Sequence, residues 1–314
     1  MSAVRALDSG VYLASAGRGR HPDQCPPLVG VGADEDDAVR DALLLYAAAS
    51  WDAPAMQWAS ADELGDEALP VEDLARVAPL EPIDRIRWVE GFALDDGRPT
   101  WVPAVLVHLG LPVAVEPESF WPASRAGLAL AGDLGAAVLA GLLDLVARDG
   151  FALATTRDTA LPRLAYADDE PVVYDLTSDV GIPTAMVPDA TNEVVGIAAA
   201  ATMTEARDAA FADLARRSVR RERATFPEEP PTLLGAAGSA YIGADVHDAP
   251  IDLSKPAMVG RLRHVGVAGY AVDLTTDELA RVGLSAVRVV VPGLSPIPPS
   301  IGWADHARLA RVAP

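Results

Sequence analysis

The segment LGAAVLAGLLDLVARDG, residues 134–150, constrains the fold more than any other stretch of the chain. It has the composition of a helix and is apolar on every side until Asp144, so it needs a cover of other elements all round. Arg148 and Gly150 predict its C-terminal stop. Asp133 and Asp144 fall within or beside the same apolar run, which excludes a bilayer-spanning segment. A second helix is predicted over 34–51, where the acidic turn DEDD suits the positive end of a helix dipole and Leu44, Leu45, Ala47 and Ala48 leave almost no polar face. A third begins near Thr204, ends before Pro227 and turns basic over 216–223. Between them lie β-rich runs at 86–89, 101–108, 172–176, 193–198, 269–272 and 287–291. Thr275 and Glu278 read as the capping box of a short helix stopped by Gly283. The expected class is mixed α/β, with mixed sheets packed by long buried helices.

The chain has 314 residues, enough for one large or two ordinary domains, and no internal sequence repeat. The division expected is an N-terminal segment, 1–29, followed by one domain, 30–314. Proline clusters at 227–231 and 292–299 predict extended chain over the surface. A formal charge of −20 repels phosphate backbones and anionic bilayers, so neither nucleic acid nor membrane is an expected partner. An acidic surface would instead attract a basic partner. One cysteine, Cys25, and no continuous apolar run at the N-terminus predict a cytoplasmic protein.

Local chemical motifs are sparse. There is no phosphate loop, HExxH, GxSxG or strand-flanked GxGxxG. The five histidines lack metal-ligand spacing, and prolines between and after His21 and Cys25 argue against a helix that would pair them. His108, at the end of an apolar run, reads as a structural histidine with a catalytic base as the alternative.

Four blocks carry a resemblance over the whole chain. Residues 30–49, GVGADEDDAVRDALLLYAAA, fit the pattern GxGxxxxxAxxSAxxExxER without a gap. Residues 125–150, RAGLALAGDLGAAVLAGLLDLVARDG, fit SNGLAAGxxxxEAxLxGLLExxERDA, and residues 205–216, EARDAAFADLAR, fit EAxxRAxxExxQ. The run YDLTSDVGIP before the third block and the final GYAVDLTTDELARVGLSAVRVVVPGL, residues 269–294, fit a strand and turn and the last strands of the same family. The chain thereby resembles YcaO-domain proteins. That resemblance implies a YcaO-like fold and a setting in which Mg·ATP phosphorylates a peptide amide oxygen, giving azolines or thioamides in ribosomally made peptides.

Magnesium needs several hard oxygen donors in near-octahedral geometry. Carried over position by position, the donors are mostly gone. The first block's two glutamates fall on Leu45 and Ala48 and its arginine on Ala49. The second block's serine and asparagine fall on Arg125 and Ala126, and its glutamates on Asp144 and Ala147. The third block's glutamate and glutamine fall on Asp213 and Arg216. These nine residues mark a vestigial nucleotide cleft, with no metal site, no retained cofactor and Mg·ATP chemistry lost. Asp144 and Asp213, left in such a cleft, call for counter-charges, and the expectation is that Arg216, with Arg125 or Arg148, supplies them.

The function this implies is that of a non-hydrolysing partner or scaffold in peptide modification. Its expected partners are an active YcaO or other peptide-modifying enzyme and a precursor peptide, engaged through the partner's leader-binding domain. The alternative is an enzyme with a repurposed cleft or relocated ligands that itself modifies the peptide backbone. The apolar runs 47–49 and 136–143 are candidates for a homodimer seam.

Overall fold

A computed structural model describes residues 2–7, 10–16, 28–74, 78–121, 124–156, 161–164, 172–191, 193–223, 243–244 and 248–295. The His21 and Cys25 pair, the proline cluster at 227–231 and the later part of the one at 292–299 lie outside them.

Three sheets organise these residues. The first joins β1 (Ser2–Ala6), β2 (Tyr12–Ser15) and β3 (Val29–Gly32) in antiparallel order, so the N-terminal segment contributes two strands to the sheet that holds β3. The second runs β4 (Gln57–Ala59), β5 (Ile86–Ala93), β13 (Tyr270–Asp273), β14 (Ser285–Val290) and β7 (Leu128–Ala131), with β6 (Pro99–Pro103) also paired to β5. The third runs β11 (Val195–Ala199), β10 (Thr184–Pro188), β9 (Tyr174–Asp175), β8 (Arg163–Leu164) and β12 (Gly243–Ala244).

Three long helices fill the spaces between sheets. Helix α1 (Glu35–Ala48) packs on β2 and β3 and also touches β7 and β14. Its start is fixed by Asp34, whose carboxylate accepts the Asp37 N–H at 2.8 Å. Helix α4 (Leu134–Thr156) lies against β7 and β14 on one side and β10 and β11 on the other, and its cover is complete over 145–150, while Ala136 and Ala140 nearer its start stay exposed. Helix α5 (Met203–Arg223) covers β10 and β11. Thr202 and Glu205 form its capping box, each side chain accepting the other's backbone N–H at 3.1 Å. Shorter helices are α2 (Ala61–Leu64), α3 (Ala104–Val107), α6 (Lys255–His264) and α7 (Asp277–Arg281). No described helix is long and apolar enough to cross a membrane.

Local expectations are corrected at three places. Gly150 does not stop α4; a Cβ there would lie 2.5 Å from the Leu176 carbonyl, so the glycine permits close approach instead. The run 101–108 is only partly strand, because β6 ends at Pro103 and the next four residues turn into α3. Thr276, not Thr275, caps α7, while the Thr275 hydroxyl accepts the Ala286 N–H at 3.1 Å across the hairpin.

Glycine sets the distance between sheet and helix. A Cβ on Gly30 would lie 2.1 Å from the Ala42 nitrogen and 2.2 Å from the Ala38 carbonyl oxygen of α1, and a Cβ on Gly196 2.0 Å from the Ala210 carbonyl oxygen of α5. The backbones of β3 and α1, and of β11 and α5, therefore touch directly, and this brings the next helical side chain within reach of the strand.

Candidate functional site

That side chain is an aspartate in both units. Asp41 of α1 accepts the Val31 N–H of β3 at 2.9 Å, and Asp213 of α5 accepts the Ile197 N–H of β11 at 3.1 Å. Asp144 of α4 repeats the arrangement on the Gly127 N–H at 2.7 Å. Each strand or turn donor thus ends on a carboxylate from the long helix beside it.

Every one of these carboxylates also holds arginine. Asp41 binds Arg125 through one oxygen and Arg220 through the other, the latter at 3.0 Å. Arg217 meets Asp213 at 2.6 Å and Arg148 meets Asp144 at 2.8 Å, both one helical turn on. Burial pushes the Asp41 carboxyl up, but Arg125, Arg220 and the Val31 N–H together hold it far below the usual carboxylate range. Asp213 is lowered in the same way: against burial stand Arg217, the Ile197 N–H, Arg220 and Arg216.

The expected counter-charges are therefore present with different assignments. Arg148 does pair with Asp144. Arg216 does not reach Asp213 as an ion pair; it faces Asp37 of α1 at 3.7 Å, and Arg217 takes Asp213. Arg125 serves Asp41 rather than Asp144 or Asp213. Asp37 and Asp41, four apart, thus meet Arg216 and Arg220, also four apart, and join α1 to α5 along one charged seam. Beside it Val219 packs with Val11 and Val31 in a small apolar cluster.

Arg288 of β14 holds the turn that carries Arg125. It is buried, with its Nε donating to the Val107 carbonyl at 3.3 Å and its Nη2 to the Ser124 carbonyl at 2.6 Å, and it also binds the Ala126 carbonyl. The turn carrying Arg125 and Gly127 is thereby held against the sheet.

The remaining cleft positions are core. Leu45, Ala48 and Ala49 pack with Leu106 and Leu109 in one apolar cluster, and Ala126 and Ala147 with Leu142 and Leu145 in another. The Ala48 carbonyl accepts the Leu109 N–H at 2.9 Å. Ala47, Ala48 and Ala49 are at most 1% exposed within the single chain, which removes them as a dimer seam. His108 lies beside this contact and closes α3, its N–H donating to the Ala104 carbonyl at 3.0 Å.

These donors do not fit a magnesium cradle. Leu45, Ala48 and Ala147 offer no side-chain oxygen, and Asp41, Asp144 and Asp213 already hold both a backbone N–H and a guanidinium. Among the described residues, no group of three histidine, cysteine or acidic side chains is placed to hold an ion. Sequence reasoning named Asp144, Asp213 and three of the arginines, Arg125, Arg148 and Arg216, but missed Asp41, Arg217 and Arg220. The signal for Asp41 was an acid gained at the serine of the first block.

Comparison with known proteins places this architecture. The family model described as YcaO cyclodehydratase, ATP- and Mg2+-binding, matches residues 29–295. The structure of YcaO from Methanopyrus kandleri bound with AMPPCP and Mg2+ has a TM-score of 0.71 and 20% identity over 94% of this chain and 86% of that one. A heterocyclase in complex with substrate and cofactor gives 0.68 and 18% over 91% of this chain, which spans only 48% of that one. The E. coli microcin synthetase McbBCD complex gives 0.60 and 12%, over 93% and 87%. No curated protein matches the chain. These structures share its fold, and the family model, matched over most of the chain, shows that the chain belongs to the YcaO cyclodehydratase family.

Proposed function

We propose that this chain is a YcaO-family protein that has given up Mg·ATP chemistry and serves as a non-hydrolysing partner or scaffold in the modification of a ribosomally made peptide. The observation that carries this reading is the double loss at the cleft: oxygen donors have become core leucine and alanine, and the carboxylates that remain are tied to arginine. A magnesium ion arriving there would compete with a fixed guanidinium group at each carboxylate. Loss of supporting partners alone typically lowers metal affinity about 10–100-fold, and here direct donors are missing.

In this role the chain contributes architecture, and an active YcaO-type or other peptide-modifying enzyme contributes the phosphoryl chemistry. The precursor peptide reaches the complex through the partner's leader-binding domain, in the cytoplasm.

Titration calorimetry with Mg·ATP is expected to give no binding heat up to millimolar nucleotide, and magnesium with nucleotide is expected to leave the thermal midpoint unchanged. Adding the chain to an active YcaO-type enzyme with its precursor peptide is expected to raise the yield of azoline or thioamide. Peptide-dependent phosphate release by this chain alone would overturn the proposal and assign it the alternative, an enzyme with relocated ligands.

A further inference from the structure

Single apolar side chains on a surface are ordinary, whereas a group of them at one place is not. Among the described residues the exposed large apolar side chains are Trp58, at 38%, Ile83, Val113 and Val282. The first three lie on segments that hydrogen bonds join at the β4 end of the second sheet. Trp58 is the cross-strand partner of Arg87 on β5, so their side chains leave the same face. Val113 sits between two residues anchored to the same arginine and its acid. Arg87 Nη2 donates to the Pro112 carbonyl at 2.5 Å, and the Ala114 N–H donates to Glu118 at 2.8 Å. Ile83 follows Pro82, whose carbonyl accepts the Asp62 N–H at 3.0 Å, and Arg85 reaches the Trp58 carbonyl at 3.1 Å.

The support beneath this patch is rigid. Arg87 and Glu118 form a buried two-pronged pair, at 2.8 and 2.6 Å, and Glu118 also accepts the Arg87 N–H at 3.1 Å. Val113, 56% exposed, is therefore presented on a loop pinned on both sides. A fixed apolar side chain loses little freedom on binding, which favours contact.

The border of the patch is acidic. Asp62, Glu63, Glu81, Asp84 and Glu116 stand along the segments that carry it, and the arginines there, Arg85 and Arg87, are paired with Glu63 at 3.2 Å and with Glu118. A second copy would bring the same acids face to face on a chain of formal charge −20. The Trp58 and Ala59 carbonyls are already taken by Arg85 and Trp88, so strand addition is not the mode of contact.

We propose that Trp58, Ile83 and Val113 form a docking surface for a basic partner protein, whose apolar side chain seats on the patch while lysine or arginine faces the acidic border. This surface is separate from the cleft and does not depend on the cleft's lack of nucleotide chemistry.

The test uses the full chain and a fluorescein-labelled amphipathic peptide of leucine and lysine, with leucine–glutamate and serine–lysine peptides as controls, read by anisotropy. The leucine–lysine peptide is expected to bind and to weaken with salt, and both controls to bind at least tenfold more weakly. Trp58→Ser and Val113→Ser are each expected to lower affinity about tenfold. Ile83→Ser, at a side chain 72% exposed, keeps the fold and is expected to lower it several-fold. Equal binding to a triple serine variant that retains its circular dichroism overturns the proposal, as does absence of binding to the natural chain. Sedimentation of a dimer that Trp58→Ser converts to monomer would assign the patch to a second copy and overturn it equally.

Discussion

Asp41→Ala is expected to destabilise the chain by about 3–5 kcal/mol, because it removes the carboxylate that Arg125 and Arg220, both largely buried, share. In a chain of this length that corresponds to a fall in thermal midpoint of roughly 5–10 °C. Denaturant unfolding read by tryptophan fluorescence measures it. Replacing the arginines together with the aspartate, as Asp41→Leu with Arg125→Met and Arg220→Met, is expected to recover most of the loss, since an apolar cluster of similar volume avoids the desolvation of three charges. A cost below about 1 kcal/mol for Asp41→Ala would show instead that water screens the cluster as it does a surface pair.

The same carboxylate fixes the sign of the pH dependence. Its folded pKa lies below its unfolded value of about 3.9, so its contribution is fully present above about pH 5 and is lost as pH falls through the acidic range. Asp213 is shifted in the same direction and adds to the effect. The difference between the natural chain and Asp41→Ala is therefore expected to shrink from pH 7 toward pH 3. Added salt should do little to it, whereas the exposed Arg263 and Asp95 pair, at 3.1 Å, is open to screening.

Much of the architecture was legible because periodicity reports burial. The all-round apolar character of 134–150 and 44–49 announced helices enclosed between layers, and both lie between sheets. Where the reading failed, tertiary contact overrode a local signal: Gly150 serves approach to Leu176, and Thr275 serves the β13–β14 hairpin rather than α7. Leu45, Ala48 and Ala147 read as apolar positions, and all three are core. The charged contacts were harder to see. Asp41 and Arg220 are 179 residues apart, and only the packing of α1 beside α5 brings them together. The choice of Arg217 over Arg216 for Asp213 turned on a single helical step, with the full turn of four favouring Arg217 and leaving Arg216 to face Asp37. The patch at Trp58 and Val113 carried no sequence signal, since it depends on Arg87 joining β5 to a loop some 25 residues later.

The glycine contacts and the charged seam are coupled, and Gly30→Ala is expected to expose the coupling. Its Cβ would meet only backbone, at 2.1 Å from the Ala42 nitrogen, 2.2 Å from the Ala38 oxygen and 2.8 Å from the Ala42 Cα, so no side chain can swing aside and α1 itself must move. A loss of about 3 kcal/mol is expected, at the upper end of ordinary overpacking. Gly132→Ala is the matched control: nothing lies within 4 Å of its Cβ and its φ is not positive, so the change is expected to be neutral or slightly stabilising. Movement of α1 off β3 also draws Asp41 from the Val31 N–H, which sits one residue past Gly30. Gly30→Ala combined with Asp41→Ala should therefore cost less than the two changes summed, by about 1 kcal/mol or more, because each removes part of what the other breaks. Strict additivity in a double-mutant cycle would mean that the helix tolerates the extra methyl by bending elsewhere, and that the seam between α1 and α5 is held by its arginines without help from the glycine contact.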